Sequence, residues 1–128
     1  MALNAVAIFK ALASNASNAA GLEDAKHFQP DASFSGVAFW VTPERMERAT
    51  LGSTRWHLEV VGKLRIFGAW DRSNDEKMGD LLPLVWLAIE GDRTAGGFAQ
   101  DLAVMSADVV RADDGAPVGV DYRIAVEA

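Results

Sequence analysis

The stretch RWHLEVVGKLRIFGAW, Arg55 to Trp70, constrains the fold more than any other part of the chain. Its residues alternate strictly. Trp56, Leu58, Val60, Gly62, Leu64 and Ile66 fall on one face; His57, Glu59, Val61, Lys63, Arg65 and Phe67 fall on the other. Such alternation is the pattern of a strand in an antiparallel sheet with one face on a core. The strand is too long for its protein. At about 3.3 Å per residue it would reach roughly 50 Å, whereas a compact chain of 128 residues has a radius of gyration near ~14 Å. Either Gly62 bends the strand around the core, as mid-strand glycines often do, or the strand stays straight and its N-terminal half projects as part of a hairpin arm.

The rest of the chain supplies the partners such a strand needs. Ala5, Ile8, Phe9, Leu12 and Ala16 make one apolar stripe on a helix over residues 2–17. The first sixteen residues lack the basic start of a signal peptide, so this segment reads as a mature amphipathic helix in a cytoplasmic protein. Residues 18–35 read as irregular around Pro30. GVAFWV, 36–41, is a short strand, and TPERMERATLGST, 42–54, a long charged connection with room for a helical turn at 44–49. A capping box, Ser73 with Glu76, opens a second helix carrying Met78, Leu81, Leu82, Val85 and Ile89. Pro83 should kink this helix and Gly91 should cap it. Strands are expected at 99–110 and 118–127, joined by the turn ADDGAP; Val118, Val120, Tyr122, Ile124 and Val126 point inward. The expected fold is α+β in a single domain over 1–128. It is mostly antiparallel sheet with two main helices packed on one face, in the order α-β-β-α-β-β, with a long β-hairpin arm.

Composition narrows the function classes. The chain has no cysteine, which excludes disulfides, zinc–thiolate sites and thiol nucleophiles. Its net charge of −6 disfavours broad electrostatic capture of nucleic acid. No apolar run is long enough to span a bilayer. Candidate chemistry is sparse. His57 and Glu59 share a strand face, but a metal site needs a third ligand and the other histidine, His27, lies in the irregular segment. Asp113 and Asp114 suit a hairpin turn. GDRTAGG lacks the Lys-Ser/Thr ending and the following helix of a phosphate loop. No catalytic residue, cofactor or metal ligand is expected. Interface residues are. Arg45, Arg48 and Arg55, interleaved with Glu44 and Glu47, suit charge pairing with a neighbouring copy as well as they suit a solvated loop. Trp40 and Trp70 fall on or near the opposite strand faces. They are either exposed interface anchors or packed under 18–35. His57 and Glu59 complete the candidate interface set.

The order of elements resembles the tail terminator (tail completion) proteins of long-tailed bacteriophages and of phage-derived gene transfer agents. The likeness rests on the N-terminal helix, GVAFWV entering a long hairpin, WHLEVVGKLRIFG, the acidic helix DEKMGDLLPLVWLAIEG, the turn TAGGF and a final hairpin ending DYRIAVE. It implies a virion protein, assembled in the bacterial cytoplasm, with no catalytic residues. It implies a homohexameric ring at the head-proximal end of the tail tube, touching the tube protein and the head–tail connector, with DNA passing its lumen. A second reading, from a different class, is a cystatin-like ligand-binding or enzymatic α+β domain whose pocket is lined by Trp40, His57, Trp70 and Tyr122. A third is an adaptor that adds an edge strand to a partner's sheet.

Overall fold

The computed structural model describes residues 3–68 and 71–128. It is a mixed α+β fold with two helices and one five-stranded sheet. In chain order the elements are α1 (Ala5–Ala16), β1 (Asp24–Ala25), β2 (Gly36–Arg48), β3 (Trp56–Phe67), α2 (Arg72–Ile89), β4 (Asp101–Arg111) and β5 (Pro117–Glu127). The strands lie in the order β1-β2-β3-β5-β4. All pairings are antiparallel except that of β1, which runs parallel to β2 through Asp24–Ala38 and Ala25–Phe39. Two residues are too few to leave a periodic trace, so β1 goes unread in the sequence.

The core lies on one face of the sheet. Val37, Phe39 and Val41 of β2, Leu58, Val60 and Leu64 of β3, Val120, Tyr122, Ile124 and Val126 of β5, and Leu102 and Val104 of β4 are buried together. The register sets them side by side: Phe39 opposite Leu64, Leu64 opposite Val120, Val60 opposite Ile124, and Leu102 opposite Val126. Ile8, Leu12 and Ala16 of α1 and Met78, Leu81, Val85 and Ile89 of α2 close over them. Polar side chains tie the layers. Asn15, buried in α1, donates through Nδ2 to the carbonyls of Ile89 (3.1 Å) and Asp92 (3.0 Å), groups freed where α2 ends. The Tyr122 hydroxyl donates to the Leu82 carbonyl at 2.8 Å, next to the proline inside α2.

The connection expected at 42–54 is the main correction. Residues 42–48 continue β2, with no helical turn at 44–49. Pro43 and a register shift between Pro43 and Arg45 obscure the strand pattern, and the bulge absorbs both. The turn proper is 49–55. β3 is twelve residues, so about 40 Å, and it is paired along its length: His57 faces Glu127 of β5, and Trp56 exchanges backbone hydrogen bonds with Ala128. The N-terminal half of β3 therefore does not project from the sheet. Gly62 leaves room for a ring: a Cβ there would lie 2.6 Å from Phe39 Cζ. At the head of α2, the N-cap is Asp71, which accepts from both the backbone and the hydroxyl of Ser73. The capping box expected at Ser73 with Glu76 thus lies two residues past the true cap, because Ser and Asp compete for the same role. β4 starts at Asp101, two residues later than expected.

Candidate functional site: the β2–β3 hairpin and the open sheet face

The sheet face away from the helices carries most of the sequence-derived interface residues. One transverse row runs Glu47, His57, Glu127 and Asp101, one residue from each of β2, β3, β5 and β4. Strict alternation puts all four on the same face. His57 Nδ1 lies 2.6 Å from Glu127 Oε1, and Nε2 lies 3.7 Å from Glu59 Oε1. The hydrogen bond to Glu127 raises the imidazole pKa above its ordinary value. Partial burial opposes the rise, and the charges of Glu127, Glu59 and Glu47 add to it. The row ends in arginines: Arg45 pairs with Glu47 (2.9 Å) and Arg93 clasps Asp101 (2.8 Å). Further along, Arg123 reaches Glu44 (3.3 Å), and Arg65 reaches Asp121 (2.7 Å). This is a lattice of opposite charges on a half-exposed surface. Among the described residues no group of three or more acidic or histidine side chains is placed to hold a metal ion.

One of the expected interface residues does not belong there. Trp40 is on this face but buried, at 7% exposure. Its ring stacks on Phe67, and Phe34, from the irregular segment, packs edge-on against the same Phe67. The aromatic residues cover one another, so Trp40 is a packing residue and no exposed anchor. Trp70 lies outside the described residues. The pocket imagined from Trp40, His57, Trp70 and Tyr122 does not form among the first, second and fourth. Tyr122 faces the helices and is fully buried, whereas Trp40 and His57 face the other way.

The hairpin tip is built differently from the lattice. Ala49 N–H donates to Arg55 O, Ser53 N–H to Thr50 O, and Arg55 N–H to Ser53 Oγ. Arg48 donates to the Ser53 carbonyl at 3.1 Å while its guanidinium sits 4.9 Å from the Trp56 ring centroid. Gly52 takes the positive φ of 77° that closes the turn. The tip is thus ordered by its own bonds, and it holds Leu51 out with its side chain wholly exposed. Arg48 and Arg55 flank Leu51, and neither has a carboxylate within ion-pair reach among the described residues. Sequence reasoning passed over Leu51, a lone leucine in a turn, because nothing in its neighbours marks it as exposed.

A second apolar surface was missed as well. The outer side of α2 and β4 forms a groove of about 700 Å³ lined by Gly79, Leu82, Pro83, Trp86, Leu87 and Ala107. In the sequence, Leu82 and Trp86 blend into the core stripe, and only packing shows that they are half-exposed. No protein-family model matches this chain, and a search of curated proteins finds no significant match.

Proposed function

We propose that the protein is a structural ring subunit of a phage-type tail, a tail terminator that ends the tail tube and joins it to the head, and that it carries out no reaction. The observation that carries the reading is the hairpin. Residues 36–67 form two long paired strands that end in a self-ordered tip offering an exposed leucine between two arginines that have no carboxylate partner among the described residues. A polar tip would stabilise the monomer equally well; an ordered apolar tip gains only when another surface covers it. The order of helices and strands that resembles tail terminators gives that surface a context, and a net charge of −6 suits a lumen through which DNA slides without sticking. In this reading six copies form the ring, in the virion neck.

Native mass and negative-stain imaging test it, on the protein alone and mixed with the tube protein of a long-tailed phage. A closed ring of about six chains, free or capping tubes, is the expected result. A monomer that ignores tubes at high concentration would end this reading.

A further inference from the structure

We propose that the α2–β4 groove of one copy receives the β2–β3 hairpin tip of the next, so that copies join head to tail. This rests on the ring reading and names its contact. Both halves are on the page. The donor is Leu51, wholly exposed on a tip that its own hydrogen bonds already order, which removes most of the cost of fixing a loop on binding. The acceptor is the apolar groove whose floor is Leu82, Trp86 and Ala107 and whose rim is Leu87, 67% exposed.

Charge decides the occupant. Gly79, Leu82, Pro83, Trp86 and Leu87 follow one another at helical spacing, and the first turn of that same side of α2 carries Arg72, Asp75 and Glu76. Asp80 lies on its flank. All three carboxylates are exposed, and none has an ion-pair partner among the described residues. Of the two basic residues in α2, Lys77 is engaged by Glu23 and Arg72 stands at the start of the helix, so three carboxylates against one arginine leave this side of α2 negative. The hairpin has the complement: Arg48 and Arg55 on either side of Leu51, neither paired with a carboxylate among the described residues. A leucine between two cations fits an apolar groove whose neighbouring charge is net negative. Position forbids the contact within one molecule and favours it between copies. Ala107 belongs to β4, the last strand at one edge of the sheet, while β2 lies toward the other edge. Donor and acceptor on opposite edges make a heterologous contact, the kind that closes rings when the rotation allows and runs on into filaments when it does not.

The absence of cysteine makes the test clean. Leu51→Cys and Leu87→Cys are prepared separately, mixed and mildly oxidised, alongside Leu51→Cys mixed with Met105→Cys, an exposed residue outside the groove. The inference expects a disulfide-linked pair in the first mixture well above the second. It also expects Leu51→Asp to weaken self-association by about 10- to 100-fold with an unchanged melting temperature. A protein that forms rings by native mass yet cross-links equally in both mixtures overturns this contact and leaves the ring reading standing. A protein that stays monomeric overturns both. Cross-linking of Leu51→Cys to a tube protein, with none to Leu87→Cys, also overturns it and assigns the tip to the tube.

Discussion

At the scale of single residues, His57 and Gly62 hold the most testable chemistry. His57 is the one histidine set among carboxylates, and Glu127 is the largest cause of its raised pKa. Glu127→Gln should therefore lower the His57 pKa, read from its ring protons in an NMR titration; an unchanged value would show that the bond across β3 and β5 does not hold in solution. The sign for stability follows from the raised folded-state value. The contribution is complete below the ordinary histidine pKa of 6.5 and is lost as pH rises through the higher folded value. Urea midpoints should then fall between the two for the native protein and stay flatter for Glu127→Gln. Gly62→Ala puts a methyl where the Phe39 ring lies. It should cost about 1–3 kcal/mol by overpacking, and Phe39→Leu in the same chain should recover part of that. A neutral Gly62→Ala would mean the ring moves aside freely.

At the scale of elements, the two helices are held to each other by few polar bonds, which makes each of them count. Asn15 satisfies two carbonyls at the end of α2 from a buried position in α1. Asn15→Ala leaves those carbonyls without their donor and should cost about 1–3 kcal/mol. The same urea titration checks it, with an unchanged slope expected because the surface exposed on unfolding hardly differs. Tyr122 plays the corresponding part between sheet and helix, its hydroxyl bonded beside Pro83. The phenol's pKa is raised by burial. Tyr122→Phe should cost about 1 kcal/mol, read as a lowered melting temperature. Edge protection is shared out in the same economical way: Glu90 accepts from Trp86 Nε1 at 2.9 Å and from the Val104 N–H at 3.1 Å, so a side chain from the end of α2 occupies part of the open edge of β4.

At the scale of the whole molecule, the fold keeps the tip proposed for docking outside the core. The core is complete without the hairpin tip, since residues 43–50 and Leu51 are exposed. Replacing residues 49–54 by a two-residue Asn-Gly turn should leave the melting temperature within a few degrees and abolish ring formation. Loss of folding on that replacement would make the tip part of the core and remove the basis for assigning it to a partner. The contact proposed above also predicts salt sensitivity: association should weaken between low and high ionic strength, as exposed arginine–carboxylate pairs do, while leucine burial persists.

The sequence alone determined the parts of this protein that repeat. The period of two over 56–67 and 118–127, and the helical stripes from Ile8 and from Met78, each bury many residues against one core, so the pattern is strong and the mixed α+β fold was legible from it. Tertiary structure decided what depends on single contacts. Pro43 and a bulge hid the second half of β2 inside a presumed loop. Trp40 reads equally as surface or interior in the sequence because its cover, Phe34 acting through Phe67, comes from a segment with no periodicity. The row from Glu47 to Asp101 exists only through strand register, and the exposure of Leu51 and the α2 groove exists only through what fails to cover them. Local pattern records which residues seek burial; whether a neighbour arrives to bury them is settled by chain segments distant in sequence.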